Sequence, residues 1–398
     1  MLVSKKLQWM RRAVLLAGLV SALAAVRAWP PGRAAEAAAV PPEPLQHDLG
    51  AENTHAFDYG PVEGKGGEDI SGSYEVVADW PQPLHSDWVM GRVAGVYAES
   101  PNRIYVATTG EIPAGLYERA WGPQYIPKFI PAMRELTEKV GRYEHVLLVF
   151  DRNGKLLESW EQWNSTFKSP NRLLVNPYDP ERHIWVVDQG GPGVLQFTHD
   201  GKKLVMQITE KDAPPGEKGS FMTQDMAWMP NGDFYVTGGN RVVKFSKEGK
   251  YLSEFGRKGS GPGELNGTHG IVIDSQRRIY IADRGNSRIQ VFDENGKSLD
   301  LWPNITSPYC IRLAKDGQHL WISDGYTQRF GKYDLQGKLL TASTWGTFGV
   351  VPGAIWGPHY FDVDSEGNLY VAEDYNARVQ KFRPKKNADP AKLIAVTR

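Results

Sequence analysis

Cysteine is all but missing from this chain. Cys310 is the only one in 398 residues, which excludes internal disulfides and zinc sites built from several thiolates. An excess of either charge is missing too. Forty-six Lys and Arg balance 46 Asp and Glu, so the sequence carries no electrostatic footprint for nucleic acid, and no nucleic-acid partner is expected. The apolar run near the start, Ala13–Val26, is short of the roughly 20 residues a membrane helix needs, so no stable span is expected. Nucleophile elbows, phosphate loops and paired-carboxylate motifs do not stand out. Gly259-Ser260-Gly261-Pro262-Gly263 has the composition of a phosphate loop but lacks its Lys-Ser/Thr ending.

What is present is a repeat. The pattern around His269–Asp274, Ile279–Arg284, Arg288–Phe292 and Gly296-Lys297 recurs along the chain. Its third-strand aromatics are Phe150, Phe197, Phe245, Phe292, Tyr333 and Phe382, spaced by 47, 48, 47, 41 and 49 residues. Gly-Lys follows five of the six, as in Gly154-Lys155 and Gly337-Lys338. A period of about 40–50 residues marks a propeller or related array. Short β-branched and aromatic runs separated by Asn/Asp-Gly turns make each unit a set of antiparallel strands. Six units predict an all-β, six-bladed β-propeller.

The last unit lacks an outer strand, because Phe382 is followed by Arg383-Pro384-Lys385-Lys386. An unpaired edge is a liability. The alternating segment Tyr74–Trp80 is expected to supply the missing strand and close the ring, with the polar tail leaving the fold after Pro384. Upstream, Lys5, Lys6, Arg11 and Arg12 precede Ala13–Val26 and small residues follow, the layout of a secretory signal. The expected organisation is a signal over 1–28, a leader over 29–72, the propeller over 73–384 and a tail over 385–398. Export, to a periplasm or beyond the cell, follows from that reading; an uncleaved anchor is the other reading of the same residues.

In a propeller, the residue opening the innermost strand and those ending the second strand meet at the channel mouth. Blade four offers His269, Asp283 and Arg284 there; blade six offers His359, Glu373, Asp374 and Tyr375. Blade five offers Tyr309, Asp324 and Tyr326, blade two Asn171, and blade one Val93 with Thr108 and Thr109. His269 and His359 share a register on alternate blades, and blade two completes that three-fold set with Asn171. Three inward imidazoles could hold zinc with one position open; an amide oxygen is a poorer ligand. Singly, each histidine also reads as a hydrogen-bonded loop-end residue. Arg284 could face developing negative charge, and Tyr326 or Tyr375 could move a proton. Arg288, Arg329 and Arg378 share a register that suits strand bridging, and Asp188, Asp283 and Asp324 suit turn hydrogen bonds.

The first unit is longer than the rest, with 80 residues from Tyr105 to Trp185. The excess, Glu111–His145, contains Trp121, Tyr125 and Phe129 and a candidate helix over Pro131–Val140. Long loops in compact domains usually serve function. This one is expected to wall or cover the channel mouth, or else to contact a partner.

The repeats resemble the NHL group of β-propellers, and within it the peptidyl-α-hydroxyglycine α-amidating lyases and their bacterial relatives. Gly91–Val96, Gly261 through Arg288, and Pro358 through Asp364 carry the resemblance, which extends from about Trp80 to Arg383. It implies zinc held by three histidines, an arginine and a tyrosine near the substrate, and structural calcium. Carried over, it implies zinc-ligand roles for His269 and His359 and a substrate-facing role for Arg284. Asn171 stands where the first zinc histidine is expected, Thr109 replaces an arginine, and Gly238-Gly239-Asn240 replaces the catalytic tyrosine. Two functions compete: a metal-dependent lyase or hydrolase for a small polar or peptide-derived substrate, and a non-catalytic binding or interaction module.

Overall fold

In the computed structural model, residues 71–114, 139–214, 222–342 and 346–394 are described. Each repeat folds as one four-stranded antiparallel sheet, giving six blades. Blade one comprises Val93–Ser100, Arg103–Thr108, Leu147–Phe150 and Leu156–Ser159. Blade two opens with Pro170–Val175, blade three with Thr223–Trp228, blade four with Thr268–Ile273, blade five with Pro308–Leu313 and blade six with Pro358–Val363. The six aromatics that revealed the repeat all lie in third strands. Five of the six, the phenylalanines, are fully buried. The exception, Tyr333, packs at the edge of a cluster with Trp302. The cores run between blades: Trp160 of blade one meets Phe197 of blade two, and Trp185 of blade two meets Phe234 of blade three.

The Gly-Lys turns have two physical reasons. Asp151, Asp293 and Asp334 each use Oδ1 to accept backbone N–H groups two and four residues on, which closes the turn. The glycine then takes positive φ and sits against the aromatic ending the preceding blade. Gly337, at φ 84°, would place a Cβ 2.6 Å from the indole of buried Trp302. Gly337→Ala is therefore expected to cost about 2–4 kcal/mol, from left-handed strain plus overpacking, read as a lowered denaturation midpoint at unchanged slope.

Ring closure follows the expectation. Tyr74–Val77 pairs antiparallel with Arg378–Pro384, Val76 opposite Phe382, making the fourth strand of blade six. The tail differs from it. Lys385 N–H donates to the Ser73 carbonyl, and Ile394 N–H donates to the Tyr74 hydroxyl at 2.7 Å. Ile394 is buried in the same core as Tyr74. The chain past Pro384 stays on the fold because a buried hydroxyl needs a partner and Leu393-Ile394 supplies apolar cover.

One further sheet has two strands. Trp88–Met90 pairs with Glu111–Pro113 at the entrance of the insertion. The insertion's middle, with Trp121, Tyr125, Phe129 and most of its candidate helix, lies outside the described residues, as do the expected signal and the expected leader through residue 70. No helix among the described residues is long and apolar enough to cross a membrane.

Candidate functional site at the channel mouth

The innermost strands set the register of the mouth. Thr268 pairs with Asp283, Pro358 with Glu373 and Pro170 with Asp188, and each pairing is followed by a shift in register. His269, His359 and Asn171 therefore occupy one structural position. In blade one Val93 pairs with Thr108 in the same way, so the equivalent residue is Ala94, one later than the sequence pattern indicated. The same shift follows the first residue in all four blades, so Ala94 and not Val93 shares the position of His269.

A repeated hydrogen bond follows from this register. His269 Nδ1 lies 3.0 Å from the Tyr309 carbonyl of the next blade. His359 Nδ1 lies 3.0 Å from the Ala94 carbonyl, again one blade on. Asn171 Nδ2 donates to the Gln224 carbonyl at 2.9 Å in the corresponding place. A carbonyl can only accept, so both histidines carry their proton on Nδ1 and leave Nε2 as a lone pair. Those two Nε2 atoms face each other 3.1 Å apart, with the rings nearly perpendicular. Burial, then the neighbouring His359 and Arg284, holds His269 well below the usual histidine range. Burial lowers His359 to about 4, although Asp374 acts the other way. Both imidazoles are thus neutral at physiological pH, and two lone pairs converge on one point.

The donor set fits a cation. Two facing lone pairs repel unless something positive lies between them. Asn171 adds a buried Oδ1 that has no hydrogen-bond partner, a costly arrangement that a bound cation would relieve. The separation of the Nε2 atoms is near the roughly 3.3 Å between neighbouring ligand atoms around tetrahedral zinc. Tyr360 completes the inner wall. Its hydroxyl donates to the Gln224 carbonyl at 2.9 Å and lies 3.3 Å from His269 Nδ1.

Around this centre the remaining groups fall into two sets. The Arg284 guanidinium lies over the Tyr309 ring, 5.0 Å from its centroid, and makes no ion pair among the described residues. The Tyr309 hydroxyl is 3.0 Å from that of Tyr375. Burial raises both above the ordinary tyrosine value; for Tyr375 the proximity of Tyr309 adds to it. Protonated hydroxyls suit donation of a hydrogen bond better than service as a base. Tyr326 is 66% exposed on the turn after blade five's second strand, and stands outside the enclosed group.

Arg92 was not singled out from sequence. It forms an ion pair with Asp374 of blade six and donates to Ser169 Oγ at 2.9 Å. Burial disfavours the Asp374 charge, but Arg92 and His359 outweigh it and hold the carboxyl below its usual value. Thr109, where an arginine was expected, donates its backbone N–H to the Arg92 carbonyl. A guanidinium therefore does reach this part of the mouth, from the neighbouring strand. The sequence signal was its place within Gly91–Val96, one of the stretches that carry the family resemblance, just before the blade-one strand.

The strand-end acids behave as turn organisers. Asp188 accepts from the N–H groups of Lys168, Ser169 and Gly190. Arg288 bridges Asp283 to the carbonyls of Ser260, Gly261 and Glu264. Arg378 repeats this with Glu373, Val350, Val351 and Ala354.

Residues 231–342 match a family described as a 6-bladed β-propeller. Over 267 residues the chain is 29% identical to NHL repeat-containing protein 3 of Mus musculus, covering 62% of this chain and 74% of that protein. Over 269 residues it is 27% identical to the peptidylglycine alpha-amidating monooxygenase of Rattus norvegicus, covering 64% of this chain but 26% of the enzyme. The match thus spans about a quarter of that enzyme's length. A solved Bacteroides thetaiotaomicron protein of unknown function shares the fold, with a TM-score of 0.52 at 13% identity, over 79% of this chain and 74% of that one. The chain is a six-bladed β-propeller, similar in sequence to NHL repeat-containing protein 3 and to about a quarter of the peptidylglycine amidating monooxygenase.

Proposed function

We propose that this protein is an exported, metal-dependent, lyase-like enzyme acting on a small polar or peptide-derived substrate at the channel mouth. The convergence of two neutral, backbone-oriented imidazoles on one point carries the reading. His269, His359 and the Asn171 amide oxygen would hold a divalent metal, with zinc the best match to imidazole. When bound, such a metal polarises a carbonyl or hydroxyl oxygen of the substrate.

The chain's own groups do the rest. Carbonyls of Tyr309 and Ala94 fix both ring tautomers, so no proton has to move before the site is ready. Arg284, held over Tyr309 without an acidic partner among the described residues, is free to meet a carboxylate or a developing oxyanion. The Tyr309–Tyr375 pair offers a hydroxyl donor beside it. Arg92 is neutralised by Asp374 and positions that carboxylate beside His359. The basic residues and apolar run at the N-terminus support export.

A binding module is the second reading, favoured by the amide in place of a third imidazole. Metal content separates the two. The unmodified protein is expected to lose one equivalent of bound transition metal on His269→Ala/His359→Ala substitution, with an unchanged circular dichroism spectrum. Arg284→Ala should then lower turnover of an α-hydroxyglycine-type substrate more than it raises KM. Equal metal content in the double variant would remove the metal-dependent reading and leave the binding one.

A further inference from the structure

A second cluster lies at the base of the blade-one insertion, and it draws on three separate stretches of chain. His85 lies between the ring-closing strand and Trp88–Met90. Glu111 opens the strand Glu111–Pro113, opposite Met90. His145 is two residues before the third strand of blade one, Leu147–Phe150. We propose that His85, Glu111 and His145 form a divalent transition-metal site, with Zn²⁺ as the ion, that staples the two feet of the insertion to the entrance of the propeller. The inference stands apart from the reading of the channel mouth.

Three observations support it. Ligand atoms of the three side chains all lie within 4.8 Å of one another. His85 Nε2 is 3.6 Å from Glu111 Oε1, and His145 Nδ1 is 3.2 Å from Glu111 Oε2. The His85–Glu111 spacing is close to the roughly 3.3–3.5 Å between ligand atoms that sit about 2.0–2.2 Å from a tetrahedral zinc, and His145 Nδ1 reaches the same carboxylate.

Next, the atoms that point together are the ones left without partners. His85 Nε2, Glu111 Oε1 and His145 Nδ1 are all buried with no hydrogen bond, and the Glu111 side chain is 1% exposed. Most buried polar atoms in folded proteins have a partner, and three of this chain's exceptions meet at this one place. These three, two imidazole nitrogens and a carboxylate oxygen, form a donor set to which a cation can bind by accepting an electron pair from each.

Finally, neighbouring side chains contact the far atoms of these residues and orient them. Arg142 grips Glu111 Oε2 through Nε and Nη2 at 2.7 and 2.6 Å, leaving Oε1 as a single ligand atom. Arg142 is itself held over the Trp88 ring at 4.3 Å. Backbone hydrogen bonds run both ways between Glu111 and Arg142, clamping the feet of the insertion together. Glu161 lies 3.8 Å from the far nitrogen of His145. His145 takes φ 54°, a left-handed conformation uncommon outside glycine and of the kind found at ligand clamps. Two imidazoles and one carboxylate oxygen are a donor set for zinc or another borderline divalent ion, with a fourth position open to water.

The test uses the full chain, stripped with chelator and titrated with ZnCl₂ by calorimetry and elemental analysis. His269→Ala/His359→Ala protein should still bind one equivalent of zinc, and adding His85→Ala should weaken that binding by about 100-fold or more. In the otherwise unmodified chain, His85→Ala alone should remove one equivalent and leave the other. His85 is the decisive variant, since its side chain is 36% exposed and its loss spares the core. In the His269→Ala/His359→Ala background, Co²⁺ substitution should give the intense visible absorption of a four-coordinate ion, absent once His85→Ala is added. Unchanged zinc uptake in His85→Ala, or none in the His269→Ala/His359→Ala protein, would overturn the site and leave a cluster of ion-paired histidines. Equal zinc content in the unmodified and His269→Ala/His359→Ala proteins would sink the channel-mouth reading and not this one.

Discussion

A chain beginning at Pro81 is expected to lose its cooperative unfolding transition, whereas one beginning at Ser71 keeps it. The difference is ten residues, but those residues hold the ring shut. Tyr74 is fully buried and receives the Ile394 N–H on its hydroxyl. Trp80 is 3% exposed and packs edge-on against Phe150 of blade one and Tyr370 of blade six. Its indole N–H donates to the Asp151 carbonyl at 3.0 Å. Losing a buried aromatic costs about 3–5 kcal/mol, so two cost roughly 6–10 kcal/mol, against a total stability of about 5–15 kcal/mol for most domains. The Arg378–Pro384 strand would also be left as an open edge, a template for aggregation. Thermal unfolding followed by circular dichroism, with light scattering for association, reads both effects. A matching melting temperature in the two proteins would show that the seam between blades six and one holds without its outer strand.

The repeat was legible because its marks are local. The third-strand aromatic recurs in all six blades and a Gly-Lys turn follows it in five, with Asp three residues before the glycine in three of those, because burial and turn geometry are set largely within one hairpin. The closing strand was legible by subtraction, since a blade without Tyr74–Val77 would have an open edge. The shared register of His269, His359 and Asn171 was legible for the same reason as the repeat.

Features set by distant contacts were not. The blade-one register was off by one: Ala94, not Val93, aligns with His269, His359 and Asn171. Arg92 was passed over because its role comes from Asp374, 282 residues away. Ile394 looked like tail because its partner, the Tyr74 hydroxyl, is at the other end of the chain. His85, Glu111 and His145 fit no spacing motif, for they meet only where the insertion's feet return to the ring. Sequence periodicity reports what a blade needs for itself; what blades and insertions do to one another needs the fold.

Asn171→His is expected to raise zinc affinity at the channel mouth by on the order of 100-fold. The argument rests on the hydrogen bond shared by the three equivalent positions. Asn171 Nδ2 already donates to the Gln224 carbonyl as His269 Nδ1 does to Tyr309 and His359 Nδ1 to Ala94. An imidazole at 171 can keep that bond through its own Nδ1–H, and Nε2 then takes the orientation of the other two. The buried Oδ1 that now lacks a partner disappears with the amide. A structural zinc site is worth roughly 10–16 kcal/mol over four ligands, or about 3 kcal/mol for each, and 1.4 kcal/mol is tenfold in affinity. The gain is less than that of a fresh ligand to the extent that the amide oxygen already contributes, and the larger ring must displace the Tyr360 hydroxyl from its share of the Gln224 carbonyl. Competition with a chromophoric chelator measures the change directly. An affinity equal to or below that of the unmodified chain would mean that the third corner does not point at the other two, and the pair of histidines would then have to be explained as a buried, proton-sharing contact between blades four and six.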